Sequence, residues 1–169
     1  MTTRRLVIIR HGKAAAVQAD DAARPLEPRG KRDATAAGRW LADAGLAPER
    51  IVMSPTRRTQ QTWALAAAAL VDPPVPETDS RIYDNTVDDL LTLLRETPPD
   101  MGTVALVGHS PAVQELALLL DDGRGAAAGR RELAGKYPTS AIAVFVLRTD
   151  WAALGVGTAT LQSFAVPRG

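Results

Sequence analysis

Two short apolar runs in this sequence each end at one of its two histidines. His11 follows the run at 4–10, and His109 follows the run at 103–108. Runs of this length, rich in valine and isoleucine, indicate β-strands, and ligands in an open α/β sheet bind just beyond the carboxyl ends of the strands. Two such strands side by side would bring both imidazoles into one crevice. The alternative is a pair of unrelated structural histidines, which would rarely both fall at strand exits.

Apolar runs alternate along the chain with segments of helical periodicity, which predicts an α/β fold. The runs that predict strands lie at about 4–10, 50–53, 103–108, 140–147 and 158–166. The segments that predict helices lie near 29–44, 57–70, 86–96 and 111–120. The glycine-rich segment 121–138 is predicted to be a mobile loop rather than a linker, because too little chain follows it for a second domain. We therefore expect one domain over residues 1–169.

Several residues carry signals for the ends of these helices. Pro28 suits the first turn of a helix, and Gly45 suits the end of one. Thr86 with Asp89 is a weaker analogue of a capping box. Ser110 is predicted to cap the helix that starts at the proline after it.

The composition excludes several classes of function. The 20 basic and 19 acidic residues are spread along the chain, so no strong field points to nucleic acid or to an anionic membrane. The lack of cysteine excludes disulfides, thiolate zinc sites and a cysteine nucleophile, and it suits the cytoplasm. The longest apolar stretch, at 63–71, is too short to span a membrane. We expect a soluble, cytoplasmic, monomeric protein.

The tripeptide Arg10-His11-Gly12 suits phosphoryl transfer. Arginine presents a planar, permanently charged fork that matches two phosphate oxygens, and histidine is a nucleophile available as the neutral base near pH 7. Glycine permits close approach of the backbone. Together these residue types, placed at a strand end, predict a site for a phosphoryl group.

The segment 54–62 adds a helix N-terminus that carries arginine. It follows the predicted strand 50–53, and phosphate favours such a place because free N–H groups and the helix dipole point at it. Arg57 and Arg58 cannot both face one point on the helix. The alternative is an ordinary solvated helix start.

Gly108-His109-Ser110 repeats the order of strand, turn and helix. Its Gly-x-Ser-x-Ala spacing resembles the nucleophile elbow of α/β hydrolases, but no histidine follows residue 109 to serve as the base. A metal site is the other alternative. The histidines have no His-x-x-x-His spacing, however, and their neighbours are arginine, glycine and serine rather than acids. We predict neither metal nor cofactor.

The sequence resembles the histidine phosphatase superfamily in three motifs, which occur in the same order along the chain. They are Arg10-His11-Gly12, Ser54-Pro55-x-x-Arg58-x-x-Gln61-Thr62 and Gly108-His109. The short chain, the Asp21-x-x-Arg24-Pro25-Leu26 stretch and the region 81–94 are similar to the small bacterial SixA-type phosphohistidine phosphatases. The resemblance implies a phosphoglycerate mutase-like fold, which is a three-layer α/β/α sandwich with a mostly parallel central sheet.

The resemblance also implies roles for single residues. His11 is the nucleophile that becomes phosphorylated, and Arg10, Arg58 and His109 complete the phosphate pocket. Arg58 rather than Arg57 stands at the position of the family's arginine.

Two further cations border the expected pocket. Lys13 is a candidate to attract anionic substrates, and Arg24 either faces substrate or braces its loop by pairing with Asp21. We include both as candidate substrate-binding residues.

The sequence departs from the larger family members in its general acid. Those members place a carboxylic acid after the arginine helix, and the stretch 78–84 lacks their Asn-Glu pattern. No acid can be assigned, although four aspartates are candidates: Asp20, Asp21, Asp79 and Asp84. Phosphohistidine depends less on such an acid, because protonated imidazole leaves as a neutral group.

The expected function is therefore that of a metal-independent phosphatase that acts through phospho-His11 on phosphohistidine in proteins. Its partner would be a phosphorylated protein or a small phosphorylated substrate. Two alternatives stay open: a broad small-molecule phosphomonoesterase of the same superfamily, and a catalytically weak module that binds phosphorylated ligands. A mutase is disfavoured, because the chain lacks room for a large inserted lid.

Overall fold

The computed structural model describes residues 2–17, 19–84 and 86–169. Its strands are β1 (Arg5–Arg10), β2 (Arg50–Met53), β3 (Glu77–Thr78), β4 (Thr103–Gly108), β5 (Ile142–Leu147) and β6 (Ala159–Ala165). Its α-helices are α1 (Pro28–Asp43), α2 (Arg57–Ala67), α3 (Val87–Arg95), α4 (Ala112–Leu120) and α5 (Ala127–Gly135). Single turns of 3-10 helix lie at Asp21–Ala23, Ser80–Ile82 and Trp151–Ala153. In this described part, no helix is long and apolar enough to cross a bilayer.

The six strands form one sheet in the order β3-β2-β4-β1-β5-β6. The first four are parallel, whereas β5 runs antiparallel to β1 and β6 runs antiparallel to β5. The prediction of a mostly parallel sheet is confirmed. Strand β3 was not predicted, because two exposed residues carry no periodicity.

Helices cover both faces of the sheet, as the predicted three-layer sandwich requires. Successive side chains of β1 point to opposite faces. Val7 and Ile9 join a core with α1 and α2, and Leu6 and Ile8 join a core with α3, α4 and α5. Strand β1 is thus buried on both sides, which accounts for its unbroken apolar run.

Three of the predicted helix boundaries are confirmed. Pro28 is the first residue of α1, and Gly45 follows its end with a φ of +67°. Thr86 and Asp89 form a reciprocal capping box at the start of α3. The prediction for Ser110 is wrong. Helix α4 begins at Ala112, so the preceding proline holds the N-cap position and has no side-chain acceptor.

The prediction of a mobile loop at 121–138 is also wrong, because residues Ala127–Gly135 form α5. Tertiary contacts hold this helix despite its glycines. Leu133 is fully buried, and the guanidinium of Arg130 donates to the Asp121 carboxylate over 2.7 Å. With one buried side chain in nine residues, the segment has no apolar stripe that a sequence could reveal.

Helices α1 and α2 pack so closely that Gly38 tolerates no side chain. A Cβ atom there would lie 2.1 Å from the Ala66 carbonyl oxygen. We expect Gly38→Ala to lower the free energy of unfolding by about 1–3 kcal/mol through overpacking. Urea denaturation followed by circular dichroism measures the change.

Gly129 in α5 provides the matched control for this substitution. Its added Cβ would meet only the Leu161 side chain, at an ordinary 3.6 Å. Gly129→Ala should leave stability unchanged or raise it by up to about 1 kcal/mol, because alanine favours the helix. Equal stability of Gly38→Ala and the parent protein would contradict the close packing.

Candidate active site

A pocket of about 390 Å³ opens beyond the carboxyl ends of β1 and β4. The parallel register pairs Arg10 with Gly108, so the residues that follow these two strands leave the sheet side by side. The rings of His11 and His109 consequently lie 5.1 Å apart, measured between their centroids. Arg58 from the first turn of α2 lines the same pocket. The structure brings together all four residues of the predicted catalytic set.

His11 is buried, with 9% of its surface exposed, and one hydrogen bond orients its ring. Its Nδ1 lies 2.7 Å from the carbonyl oxygen of Gly12, which can only accept, so Nδ1 carries the proton and Nε2 keeps the lone pair. Burial lowers the pKa of His11 to about 3, helped by the nearby His109 and Arg58. The ring is therefore neutral at pH 7, which leaves a free nucleophilic nitrogen.

The backbone next to His11 is locked by close contacts with α1 and α2. The N–H of Gly12 donates to Thr62 Oγ1 over 2.9 Å, and that hydroxyl donates to the Arg58 carbonyl oxygen. A Cβ at Gly12 would lie 2.8 Å from the Gly30 carbonyl oxygen. Glycine is needed here for this approach, and Thr62 links the histidine loop to the arginine helix.

Arg58 is held at the pocket by the segment that contains Asp21. Its Nη1 donates to the Asp21 carbonyl oxygen over 2.8 Å, and its Nη2 donates to the Asp21 carboxylate over 3.1 Å. The Arg58 side chain is 6% exposed, whereas Arg57 points to solvent. The Nε of Arg58 is buried and has no partner among the described residues. Of the two successive arginines, only Arg58 reaches the pocket.

Asp21 connects three walls of the pocket. Besides Arg58, its carboxylate accepts from Arg24 Nε over 2.9 Å and from the Tyr83 hydroxyl over 2.6 Å. Arg24 also donates to the Ala15 carbonyl oxygen. The Tyr83 hydrogen bond, followed by those of the two arginines, lowers the pKa of Asp21 to about 2. Asp21 is therefore an ionised counter-ion at neutral pH.

The pocket's remaining cations and its second imidazole have distinct environments. Arg10 donates to the Tyr137 carbonyl oxygen over 2.8 Å, which fixes its guanidinium at the rim. His109 has a buried Nε2 without a partner among the described residues, and burial lowers its pKa to about 4. Lys13 lines the pocket with an exposed side chain. The pocket therefore holds neutral imidazoles among permanent cations.

The other three candidate acids are engaged elsewhere or exposed. The Asp79 carboxylate is bound by Arg81 over 2.8 Å, and this contact lowers its pKa. Asp20 caps the turn Asp21–Ala23, and Asp84 is exposed. The sequence did not predict Tyr83 as a lining residue, although Tyr83 lies within the stretch 81–94 on which the resemblance to SixA-type proteins rests. Among residues 2–17, 19–84 and 86–169, no three His, Cys, Asp or Glu side chains form a group able to hold a metal ion.

Comparisons with known proteins agree with this geometry. The model of the histidine phosphatase superfamily (branch 1) matches residues 6–82. A candidate phosphohistidine phosphatase SixA from Nakamurella multipartitia superposes with a TM-score of 0.85 at 30% identity, covering 99% of this chain and 98% of that one. The chain belongs to the histidine phosphatase superfamily.

Two further relatives extend the comparison. The protein histidine phosphatase SixA, solved in complex with tungstate, superposes with a TM-score of 0.80 at 27% identity and covers 96% of this chain and 97% of that one. An uncharacterized protein of Mycobacterium tuberculosis is 33% identical over 95% of this chain and 100% of its own length. The fold is thus phosphoglycerate mutase-like and of the SixA type.

The two histidines allow a direct test of the pocket's electrostatics. Because burial favours the neutral ring, we expect both imidazoles to titrate well below the usual 6.5, at about 3 for His11 and about 4 for His109. The unfolded chain would bind more protons between pH 6.5 and these values, so stability should fall as the pH falls through that window. NMR titration of the ring resonances measures both midpoints, and a midpoint near 6.5 for either ring would contradict the assignment.

Asp21→Asn tests the counter-ion at Arg58. The substitution removes one negative charge while nearly conserving shape, so the arginines lose part of their neutralisation. We expect inorganic phosphate and tungstate to bind about twofold to fivefold more tightly at low ionic strength, the effect of a partly exposed charge. Isothermal titration calorimetry measures the affinity. Asp84→Asn, an exposed carboxylate near Tyr83, is the control, and unchanged or weaker binding in Asp21→Asn would overturn the interpretation.

Proposed function

We propose that this protein is a metal-independent phosphatase that hydrolyses phosphohistidine in proteins through a phosphorylated His11. The observation that carries the proposal is the state of His11, whose Nδ1 proton is bound by Gly12 while its ring stays neutral beside two guanidiniums. A neutral imidazole with a free Nε2 is a competent nucleophile, and the fixed cations suit the charge that develops on a transferring phosphoryl group.

The proposed reaction has two displacement steps at phosphorus. In the first, His11 Nε2 attacks phosphorus and the P–N bond to the substrate imidazole breaks. That imidazole is already protonated on its other ring nitrogen, so it takes the bonding electron pair and leaves as a neutral molecule. Arg10, Arg58 and His109 bind the equatorial oxygens, where the charge is spread. In the second, water attacks phospho-His11, the P–N bond breaks, and inorganic phosphate leaves with His11 regenerated.

The state of the carboxylates favours a phosphoramidate over an alkyl phosphate. Asp21, the aspartate that contacts Arg58, is held ionised by its hydrogen bonds, and Asp79 is paired with Arg81. Neither carries a proton to give at neutral pH. An alkoxide would leave nearly unassisted, at a cost of about a hundredfold to ten-thousandfold in rate, whereas protonated imidazole leaves as a neutral molecule. The SixA names of the structural relatives support the same substrate class.

Lys13 and Arg24 take different parts in this proposal. The exposed ammonium of Lys13 attracts the anionic substrate to the rim. Arg24 donates hydrogen bonds to the Asp21 carboxylate and to the Ala15 carbonyl oxygen. It therefore braces the loop that holds Arg58. Of the two roles considered for Arg24, the contacts support bracing.

A ranking of substrates tests the proposed activity. The purified protein, treated with a chelator, is compared on a phosphohistidine peptide, a phosphoserine peptide and a sugar phosphate. We expect kcat/KM to be highest for phosphohistidine, and His11→Ala to reduce turnover at least about a thousandfold while the fold persists. Tungstate should inhibit, in keeping with its presence in a SixA structure. Equal or faster turnover of the ester substrates would favour a general phosphomonoesterase, and binding without turnover would favour a binding module.

The neighbouring arginines of α2 provide a matched pair of variants. Because only Arg58 reaches the pocket, Arg58→Ala should lose about 3 kcal/mol or more of transition-state stabilisation, seen as a drop in kcat/KM. Arg57→Ala removes the same charge from a solvent-exposed position and should behave as a surface change. A loss at Arg57 equal to that at Arg58 would show that net charge, and not position, controls the rate.

A further inference from the structure

A second depression, of about 450 Å³, adjoins the phosphate pocket. The two cavities share Arg10 and Ser110, so they are continuous at the rim. The second depression lies between the first turn of α4, at Gln114, and the end of α5, at Gly135–Pro138. We call it the α4–α5 depression.

The walls of the α4–α5 depression offer an oriented hydrogen-bond acceptor and, besides Arg10, an exposed cation. The amide nitrogen of Gln114 donates to the Leu133 carbonyl oxygen over 2.8 Å, which leaves the Gln114 oxygen able to accept. Lys136 is exposed and forms no salt bridge with a carboxylate in the described ranges. Pro138 and the Cα of Gly135 add apolar surface. A hydrogen-bond acceptor, a cation and apolar surface in one groove suit a polypeptide segment with an acidic side chain.

We propose that the α4–α5 depression binds the polypeptide that flanks the phosphohistidine of a protein substrate, with Lys136 pairing to an acidic residue of that segment. The inference rests on the proposed phosphatase function. It concerns the polypeptide of the substrate, which the phosphate pocket does not hold. In-line displacement places the leaving group opposite His11, so the substrate chain must leave the pocket across its rim. On the Arg58 side of the rim, Arg24 and Tyr83 both donate hydrogen bonds to the Asp21 carboxylate. On the other side, the rim at Arg10 and Ser110 continues into the α4–α5 depression.

Gly135 allows the depression to be filled without disturbing the fold. A Cβ atom at Gly135 would meet nothing within 4 Å, and its φ lies outside the left-handed region. Gly135→Trp should therefore place an indole over the groove while α5 stays intact. Ala128→Trp, at an exposed position near the start of the same helix, adds equal bulk away from the groove and is the matched control.

The variants are compared on free phosphohistidine and on phosphohistidine peptides with glutamate or lysine flanks. For Gly135→Trp, we expect kcat/KM to fall about tenfold or more on the glutamate-flanked peptide, equivalent to about 1.4 kcal/mol, and to stay within about twofold on free phosphohistidine. Ala128→Trp should change neither. Lys136→Glu should lower kcat/KM for the glutamate-flanked peptide and raise it for the lysine-flanked peptide, whereas Lys31→Glu, at an exposed position of α1, should do neither.

The outcomes separate this inference from the proposed activity. Peptide turnover unaffected by Gly135→Trp, or an equal loss on peptide and free phosphohistidine, would overturn the role of the depression while leaving the phosphatase in place. If the parent protein turned over no substrate, the proposed function would fail. Fluorescence anisotropy with a labelled, glutamate-flanked phosphohistidine peptide would then decide the inference, since weaker binding to Gly135→Trp than to Ala128→Trp supports the depression and equal binding refutes it.

Discussion

The parallel pairing of β1 with β4 is the interaction on which the site depends. Its register sets Arg10 opposite Gly108, so the next residue of each strand is a histidine at the same edge of the sheet. A shift of one residue would carry Arg5 or Arg10, which are half-buried at the ends of β1, towards the buried positions between them, and burying an unpaired guanidinium is costly. The core packing therefore also sets the distance between the two imidazoles.

Charge balance is the second constraint, because the pocket gathers guanidiniums around buried rings. Neutral imidazoles add no further positive charge, and burial keeps the pKa of both well below the ordinary value. The nearly buried guanidinium of Arg58 has a carboxylate partner in Asp21, which limits the cost of removing that charge from water. Asp21 thus compensates the charge of Arg58 within the pocket.

Much of the fold could be predicted from the sequence because its long elements have strong local signals. Strands β1 and β4 have unbroken apolar runs, and α3 begins at the capping box of Thr86 and Asp89. Helix α5 was not predicted because tertiary contacts stabilise it. These are chiefly the burial of Leu133 and the salt bridge between Arg130 and Asp121. Local propensity carries no information on such contacts.

The residues of the proposed catalytic set lie in motifs at the ends of elements. Sequence reasoning therefore found His11, His109 and Arg58, which the structure brings to one pocket. The link from Tyr83 to Asp21 joins residues 62 positions apart, and no periodicity predicts it. No periodicity predicts the α4–α5 depression either, because the end of α5 forms one of its walls and α5 was not predicted. The role of a residue that depends on a partner distant in sequence cannot be predicted before the fold is known.

The contacts of Asp21 also connect the structure of the pocket with the substrate class that we propose. A carboxylate that accepts hydrogen bonds from Arg58, Arg24 and Tyr83 is stabilised as the anion, and each contact that fixes the arginine makes the acid weaker. Asp21, which contacts Arg58, therefore cannot also donate a proton to a leaving group at neutral pH. Under the proposed function, a substrate whose leaving group departs as neutral imidazole needs no such donor, and the same carboxylate can serve entirely as the counter-ion of Arg58.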